Sequence, residues 1–73
     1  MSLAKAPMFK PLRVTGVRPG SSMTYRLMEM GLIEGAQVEV LGRAPLGDPL
    51  HIRLGDYELS LRCAEADLVE ISQ

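Results

Sequence analysis

Apolar and polar residues alternate along two neighbouring segments of the chain, residues 50–54 (LHIRL) and residues 57–61 (YELSL). Alternation with a period of two is typical of β-strands that bury one face. The two residues between the segments, Gly55 and Asp56, favour a tight hairpin turn. These segments therefore predict a β-hairpin, the clearest secondary-structure signal in the sequence.

Three other segments show the same alternation and predict three further strands: residues 12–17, 37–40 and 68–71. Five short strands in so small a chain hide their edges best when the sheet curls into a small barrel. The apolar positions of the predicted elements form the predicted core, which comprises Leu12, Val14, Leu27, Val38, Val40, Ile52, Leu59, Leu61 and Val69.

One helical pattern interrupts the strands. Met23, Leu27 and Met30 lie three or four residues apart and form one apolar stripe, which predicts a short helix from about Met23 to Met30. Ser21 or Ser22 can cap its start, and Gly31 suits its end. Residues 63–67 predict a single further helical turn. The expected fold is thus all-β, a small barrel of about five strands with one short α-helix.

Residues 1–10 (MSLAKAPMFK) show no period and contain Pro7. They predict a flexible N-terminal arm, and residues 11–73 predict the single folded domain that a chain of this length can form.

Charge and composition exclude several classes of protein. The net charge is −1, with no basic excess of the kind that nucleic-acid binding requires. Five basic residues precede Glu29, the first acid, and acids dominate after Asp56. We expect the two ends of the chain to meet in the fold, so that these charges partly cancel; the alternative is a functional basic face. The basic residues before Glu29 are Lys5, Lys10, Arg13, Arg18 and Arg26.

Cys63 is the single cysteine, so no internal disulfide forms, which fits a reducing compartment. No apolar run approaches the roughly 20 residues that span a membrane, and no secretory signal is recognisable. We expect a cytoplasmic protein.

The sequence offers no catalytic constellation. It has a single histidine, no serine in a nucleophile-elbow motif, and no carboxylate in an apolar segment that would suit acid–base chemistry. We therefore expect no enzymatic activity. His51 is the best metal-ligand candidate, because Glu58 can face it across the hairpin, and iron(II) or zinc accepts imidazole and carboxylate ligands. The alternative is an exposed strand histidine, with any metal adventitious or shared between copies in a weak homo-oligomer.

Residues 44–49 (APLGDP) form the most unusual stretch, with two prolines and one glycine between two predicted strands. This composition predicts a stiff loop with Leu46 exposed at its tip. Such a loop is either a rigid connection or a docking surface that loses little entropy on binding.

These motifs together resemble the FeoA family. The resemblance rests on residues 26–32 (RLMEMGL), Gly35, residues 38–40 (VEV), residues 44–49 (APLGDP) and residues 59–62 (LSLR). It covers about residues 12–71, nearly the whole chain. At position 34 the sequence has Glu34 where a proline often stands in the family.

The resemblance implies an SH3-like small barrel that is cytoplasmic and acts with FeoB, a membrane permease for ferrous iron that carries a cytoplasmic GTP-binding domain. No obligate cofactor is implied, although iron(II) or another divalent metal is a candidate ligand. We hypothesise that one patch of this chain contacts the cytoplasmic or membrane part of the permease. The alternative is that Arg26 and Asp48 only satisfy local turns and helix ends. The patch comprises Arg26, Glu29, Met30, Pro45, Leu46, Gly47 and Asp48.

Overall fold

Five strands form one antiparallel sheet in the order β4-β3-β2-β1-β5 in the computed structural model, which describes residues 1–72. This arrangement confirms the expected all-β fold. The single helical turn predicted for residues 63–67 is present as the short helix α2 (Cys63–Ala66). The elements are a 3-10 helix (Leu3–Lys5), β1 (Leu12–Val17), α1 (Thr24–Glu29), β2 (Gln37–Arg43), β3 (Leu50–Leu54), β4 (Tyr57–Leu61), α2 (Cys63–Ala66) and β5 (Val69–Ser72).

The predicted hairpin is present as β3 and β4, with Leu50 opposite Leu61 and Ile52 opposite Leu59. Three of these four residues are essentially fully buried. Leu59, expected in the core, is only partly buried against it. Along β4, an edge strand, burial increases from the exposed Tyr57 to the fully buried Leu61, and Leu59 lies at the margin of the core between them.

The core is aliphatic and lies beneath the sheet. Apart from Leu59, all the predicted core residues are buried, and the structure adds seven residues to the predicted set. The added residues are Leu3, Ala6, Leu32, Leu50, Leu54, Ala66 and Ile71. The sheet bends over this core at two register shifts. One lies in β1 between Val14 and Gly16, and the other lies in β2 between Val40 and Gly42.

Helix α1 ends in a Schellman motif. The N–H of Gly31 donates to the carbonyl of Met28 at 3.0 Å, and the N–H of Leu32 donates to the carbonyl of Leu27 at 3.1 Å. Gly31 has a φ of +106°, a conformation that glycine adopts without a Cβ penalty. Leu27 and Leu32 are both fully buried, so the motif folds the chain back onto the core.

The prediction of a flexible arm is wrong for part of the N-terminal segment. Leu3 is 0% exposed and Ala6 is 4% exposed, because the 3-10 helix directs both side chains into the core. Ser2 forms a bridge with Glu70 of β5, and the N–H of Ile71 donates to the carbonyl of Met1 at 2.9 Å. The segment therefore covers the outer edge of β5.

The two ends of the chain meet, as expected from the charge distribution. The guanidinium of Arg18 lies 3.2 Å from the carboxylate of Glu70, and that of Arg26 lies 2.7 Å from the carboxylate of Glu65. Basic residues of the first half thus neutralise acids of the last turn and strand.

Substituting Gly31 tests how tightly the end of α1 packs on the hairpin. A Cβ at Gly31 would lie 3.3 Å from Leu54 Cδ2 and 3.5 Å from the Tyr57 hydroxyl, whereas a Cβ at Gly35 would meet nothing within 4 Å. Both glycines have positive φ, which costs other residues about 1–2 kcal/mol. We expect Gly31→Ala to lower the free energy of unfolding more than Gly35→Ala in urea denaturation. Equal losses would show that this packing is loose.

Candidate functional site

The loop between β2 and β3, residues 44–49, is held by its own hydrogen bonds. The N–H of Gly47 donates to the carbonyl of Ala44 at 2.7 Å, and the N–H of Ala44 donates to the carbonyl of Pro49 at 3.1 Å. Gly47 has a φ of +89°, and the Asp48–Pro49 peptide bond is cis. Leu46 stands at the tip and is 97% exposed. The expected exposed tip on an ordered loop is therefore present.

This loop is also bonded to the start of α2. The Asp48 carboxylate accepts a hydrogen bond from the N–H of Cys63 at 3.0 Å, and the Cys63 thiol donates to the carbonyl of Gly47 at 3.0 Å. Cys63 is the first residue of α2, so its N–H has no partner within the helix. Asp48 supplies that partner, as a capping side chain would.

The other side of α2 is bonded to α1 through Glu65. This carboxylate is almost fully buried, and it accepts the N–H of Arg62 at 2.9 Å and the guanidinium of Arg26 at 2.7 Å. The Arg26 side chain itself remains 66% exposed. Helix α2 thus lies between the two halves of the predicted patch and is bonded to both.

The residues of the predicted patch therefore divide into two groups. Arg26, Gly47 and Asp48 hold α2, which supports the alternative that Arg26 and Asp48 satisfy helix ends. Met30 is partly buried, and its carbonyl accepts a hydrogen bond from the Tyr57 hydroxyl.

Glu29, Pro45 and Leu46 form the second group, since each has an exposed side chain. Within residues 1–72 no hydrogen bond or ion pair involves the side chain of Glu29. Unlike Arg26 and Asp48, which are also exposed, these three residues have side chains that form no hydrogen bond or ion pair within residues 1–72.

His51 and Glu58 are adjacent on the solvent face of the hairpin, as the sequence indicates. His51 Nε2 lies 3.1 Å from Glu58 Oε1, and each side chain is about half exposed. Arg53 lies between two acids, 3.9 Å from Glu58 and 3.8 Å from Glu39. In the described part of the chain, no three His, Cys, Asp or Glu side chains are grouped closely enough to hold a metal ion.

An apolar groove beside α1 was not anticipated as a site. It has a volume of about 720 Å³ and is lined in part by Val17, Pro19, Tyr25 and Met28. Tyr25 is 78% exposed and Met28 is 42% exposed. Their spacing of three residues, on the flank of the buried stripe, was the available signal for an outward apolar face.

The FeoA domain model matches residues 1–73. The chain belongs to the FeoA family. A curated relative, the Fe(2+) transport protein A/Fe(2+) transporter FeoB fusion protein of Porphyromonas gingivalis, is 41% identical over 46 residues. The match covers 63% of this chain and only 6% of that protein, so this chain corresponds to a small part of the relative's length.

Solved FeoA structures share the fold. The FeoA-like protein of Clostridium acetobutylicum is 33% identical with a TM-score of 0.92, and the match covers 99% of this chain and 84% of that one. FeoA of Stenotrophomonas maltophilia, solved with zinc and described as a prokaryotic SH3 domain protein, is 28% identical with a TM-score of 0.86, covering 99% of this chain and 89% of that one. The expected SH3-like architecture is thereby confirmed. Among residues 1–72, no helix has the length and apolar character needed to cross a bilayer.

Removing Arg26 tests its structural role. Arg26→Ala leaves one oxygen of the buried Glu65 carboxylate without its partner, and such a loss costs about 1–2 kcal/mol where water can reach the group. Arg18→Ala is the matched control, because its partner Glu70 is 37% exposed and exposed pairs contribute about 0–1 kcal/mol. We expect Arg26→Ala to lower the free energy of unfolding more than Arg18→Ala in urea denaturation. The reverse order would contradict a structural role for Arg26.

Proposed function

We propose that this chain is a non-enzymatic accessory protein of bacterial ferrous iron uptake that docks on a FeoB-type permease and modulates its transport. Membership of the FeoA family supports a role connected with iron transport. In the Porphyromonas gingivalis relative, the transport protein A and the FeoB transporter are fused. Docking of such a domain on the permease needs a contact surface on the domain itself.

The observation that supports the proposal most directly is the exposure of Leu46 on an ordered loop. An exposed leucine alone is unremarkable, because most protein surfaces contain some. Here the leucine is 97% exposed on a loop whose backbone is fixed by its own hydrogen bonds and by its bonds to α2. A partner that binds it orders few additional groups and loses little conformational entropy. In a typical interface, a few anchor residues supply most of the binding energy.

Helix α1 extends the proposed docking surface. Glu29 is exposed at the end of the helix, and the Arg26 guanidinium stays largely exposed while it holds Glu65. Both can form charged contacts with a partner without any change in the fold. We place this docking at the cytoplasmic face of the membrane, where either the GTP-binding domain or the membrane part of the permease is accessible, and we assign no obligate cofactor.

Truncating Leu46 tests the docking surface. Leu46→Ala removes an exposed side chain, so we expect stability to change by less than about 0.5 kcal/mol. Binding to the detergent-solubilised permease should weaken about 30-fold, the equivalent of the roughly 2 kcal/mol lost at an interface anchor. Iron uptake in cells should fall in parallel. The control for the binding assay in detergent, where no bilayer is present, is Phe9→Asn, which removes an exposed apolar side chain outside this surface. Wild-type stability together with wild-type binding and uptake in Leu46→Ala would refute the surface.

A second candidate function is binding of iron(II) or another divalent transition metal by His51 and Glu58. The observation that favours it is their separation of 3.1 Å on an exposed face. The zinc complex of the Stenotrophomonas maltophilia relative supports it. Because a single copy offers two ligands here, a four-coordinate site requires the same pair from a second copy, in a weak homo-oligomer.

Anaerobic calorimetric titration with iron(II) tests this candidate. We expect one metal ion per two chains, accompanied by a metal-dependent dimer in analytical ultracentrifugation. His51→Ala should abolish both effects. Ser60→Ala is the control, because Ser60 lies opposite His51 in the β3–β4 register and offers no strong ligand. Stoichiometric binding by the monomer would instead indicate a site that does not need a second copy, and binding unchanged in His51→Ala would exclude these ligands.

A further inference from the structure

The backbone around Phe9 holds an aromatic ring in solvent. Phe9 has a φ of +61°, and it is the single non-glycine residue with positive φ among residues 1–72. Its N–H donates to the carbonyl of Val40 in β2 at 2.7 Å, and the preceding residue, Met8, forms a parallel bridge with Val40. The Phe9 side chain is 67% exposed and that of Met8 is 47% exposed. Two consecutive residues with large apolar side chains are therefore exposed on an anchored backbone.

Cationic side chains surround this pair. Lys10 follows Phe9 directly, and Lys5 is exposed in the 3-10 helix. Arg43 donates to the carbonyl oxygens of Ala4 and Ala6, at 2.9 and 3.2 Å, so its guanidinium contacts the backbone on both sides of Lys5 in the sequence. Arg43 is three residues from Val40 along β2, a distance of about 10 Å in a strand. Three cations and two exposed apolar side chains thus share one region.

Within residues 1–72 no carboxylate forms an ion pair with Lys5 or Arg43, and two acids of the neighbouring strands pair with other cations. The acid beside Val40 on β2 is Glu39, and it lies 3.8 Å from Arg53. Glu70, which lies opposite Ser2, is contacted by Arg18 and by the terminal amine. Residues 1–28 contain no acid at all. Lys5 and Arg43 therefore contribute positive charge that no carboxylate of the described residues pairs with, although the whole chain has a net charge of −1.

We propose that this N-terminal surface, formed by Lys5, Met8, Phe9, Lys10 and Arg43, binds the surface of an anionic lipid bilayer. Exposed aromatic and apolar side chains flanked by lysine and arginine are the chemistry by which proteins lie on membrane interfaces. The apolar pair enters the boundary of the acyl chains, and the cations contact the headgroups. Lysine and arginine side chains are long enough to reach the headgroups while their stems stay near the apolar pair. The charge selects anionic lipid over a second copy of this chain, whose own surface here is equally positive.

This inference is independent of docking on the permease, since it concerns a different set of side chains. It predicts weak and reversible binding, because one aromatic anchor with a few cations gives a much lower membrane affinity than the insertion of a transmembrane helix. Binding should fall as ionic strength rises, since salt screens the exposed charges.

The experiment is cosedimentation of the full chain with vesicles of phosphatidylcholine, with or without phosphatidylglycerol. We expect binding to the vesicles that contain phosphatidylglycerol and little binding to phosphatidylcholine alone. Lys5→Gln should weaken binding about fivefold, the effect of one basic side chain near an anionic surface. Phe9→Asn should weaken it about tenfold or more, because the apolar anchor is lost. Asparagine tolerates positive φ, so this variant should fold.

The matched control is Tyr25→Asn, which removes a 78% exposed aromatic side chain from α1 and should leave vesicle binding unchanged. Leu46→Ala should also retain vesicle binding, which separates this surface from the docking loop. The proposal is overturned if the wild-type chain fails to bind anionic vesicles or binds both vesicle types equally. It is also overturned if Tyr25→Asn loses as much binding as Phe9→Asn. Loss of binding to the detergent-solubilised permease in Phe9→Asn would show that a protein occupies this surface instead.

Discussion

A single buried carboxylate determines how the parts of the candidate site are arranged. Glu65 has one oxygen bonded to the N–H of Arg62, at the start of α2, and the other bonded to the guanidinium of Arg26 on α1. A buried carboxylate without partners would be strongly unfavourable, so both bonds must form for α2 to pack where it does. The loop with Leu46 is bonded to the same four-residue helix through Asp48. The orientation of the loop relative to α1 therefore depends on Glu65.

The hairpin and the helix were predictable because their signals are local. An alternation of period two needs only neighbouring residues, and the turn at Gly55 fixes the register that brings His51 close to Glu58. The burial of Leu3 was not predictable in this way, because it depends on β5, which lies almost 70 residues later in the chain. The partial exposure of Leu59 likewise was not predictable, because Leu59 and Leu61 hold equivalent positions in the alternation and only Leu61 is fully buried.

The long-range hydrogen bonds of the site could not be predicted either, because sequence patterns report only on residues that are close together in the chain. Arg26 and Glu65 are 39 residues apart, and Asp48 and Cys63 are 15 residues apart. The family resemblance pointed to the correct residues but could not separate those that bind a partner from those that support the fold. Only the contacts show that Arg26 and Asp48 hold α2, while Leu46 contacts solvent.

This division decides which residues can report on function. A change at Arg26 or Asp48 alters the position of α2 and the loop together, so a loss of binding there has two explanations. Leu46 and Phe9 have side chains largely in solvent, on backbones fixed by hydrogen bonds to other parts of the fold. Folding gains little stability from either side chain, since most of the surface of each stays in water. Their effects on binding can therefore be measured with the fold intact, and the two surfaces can be tested one against the other.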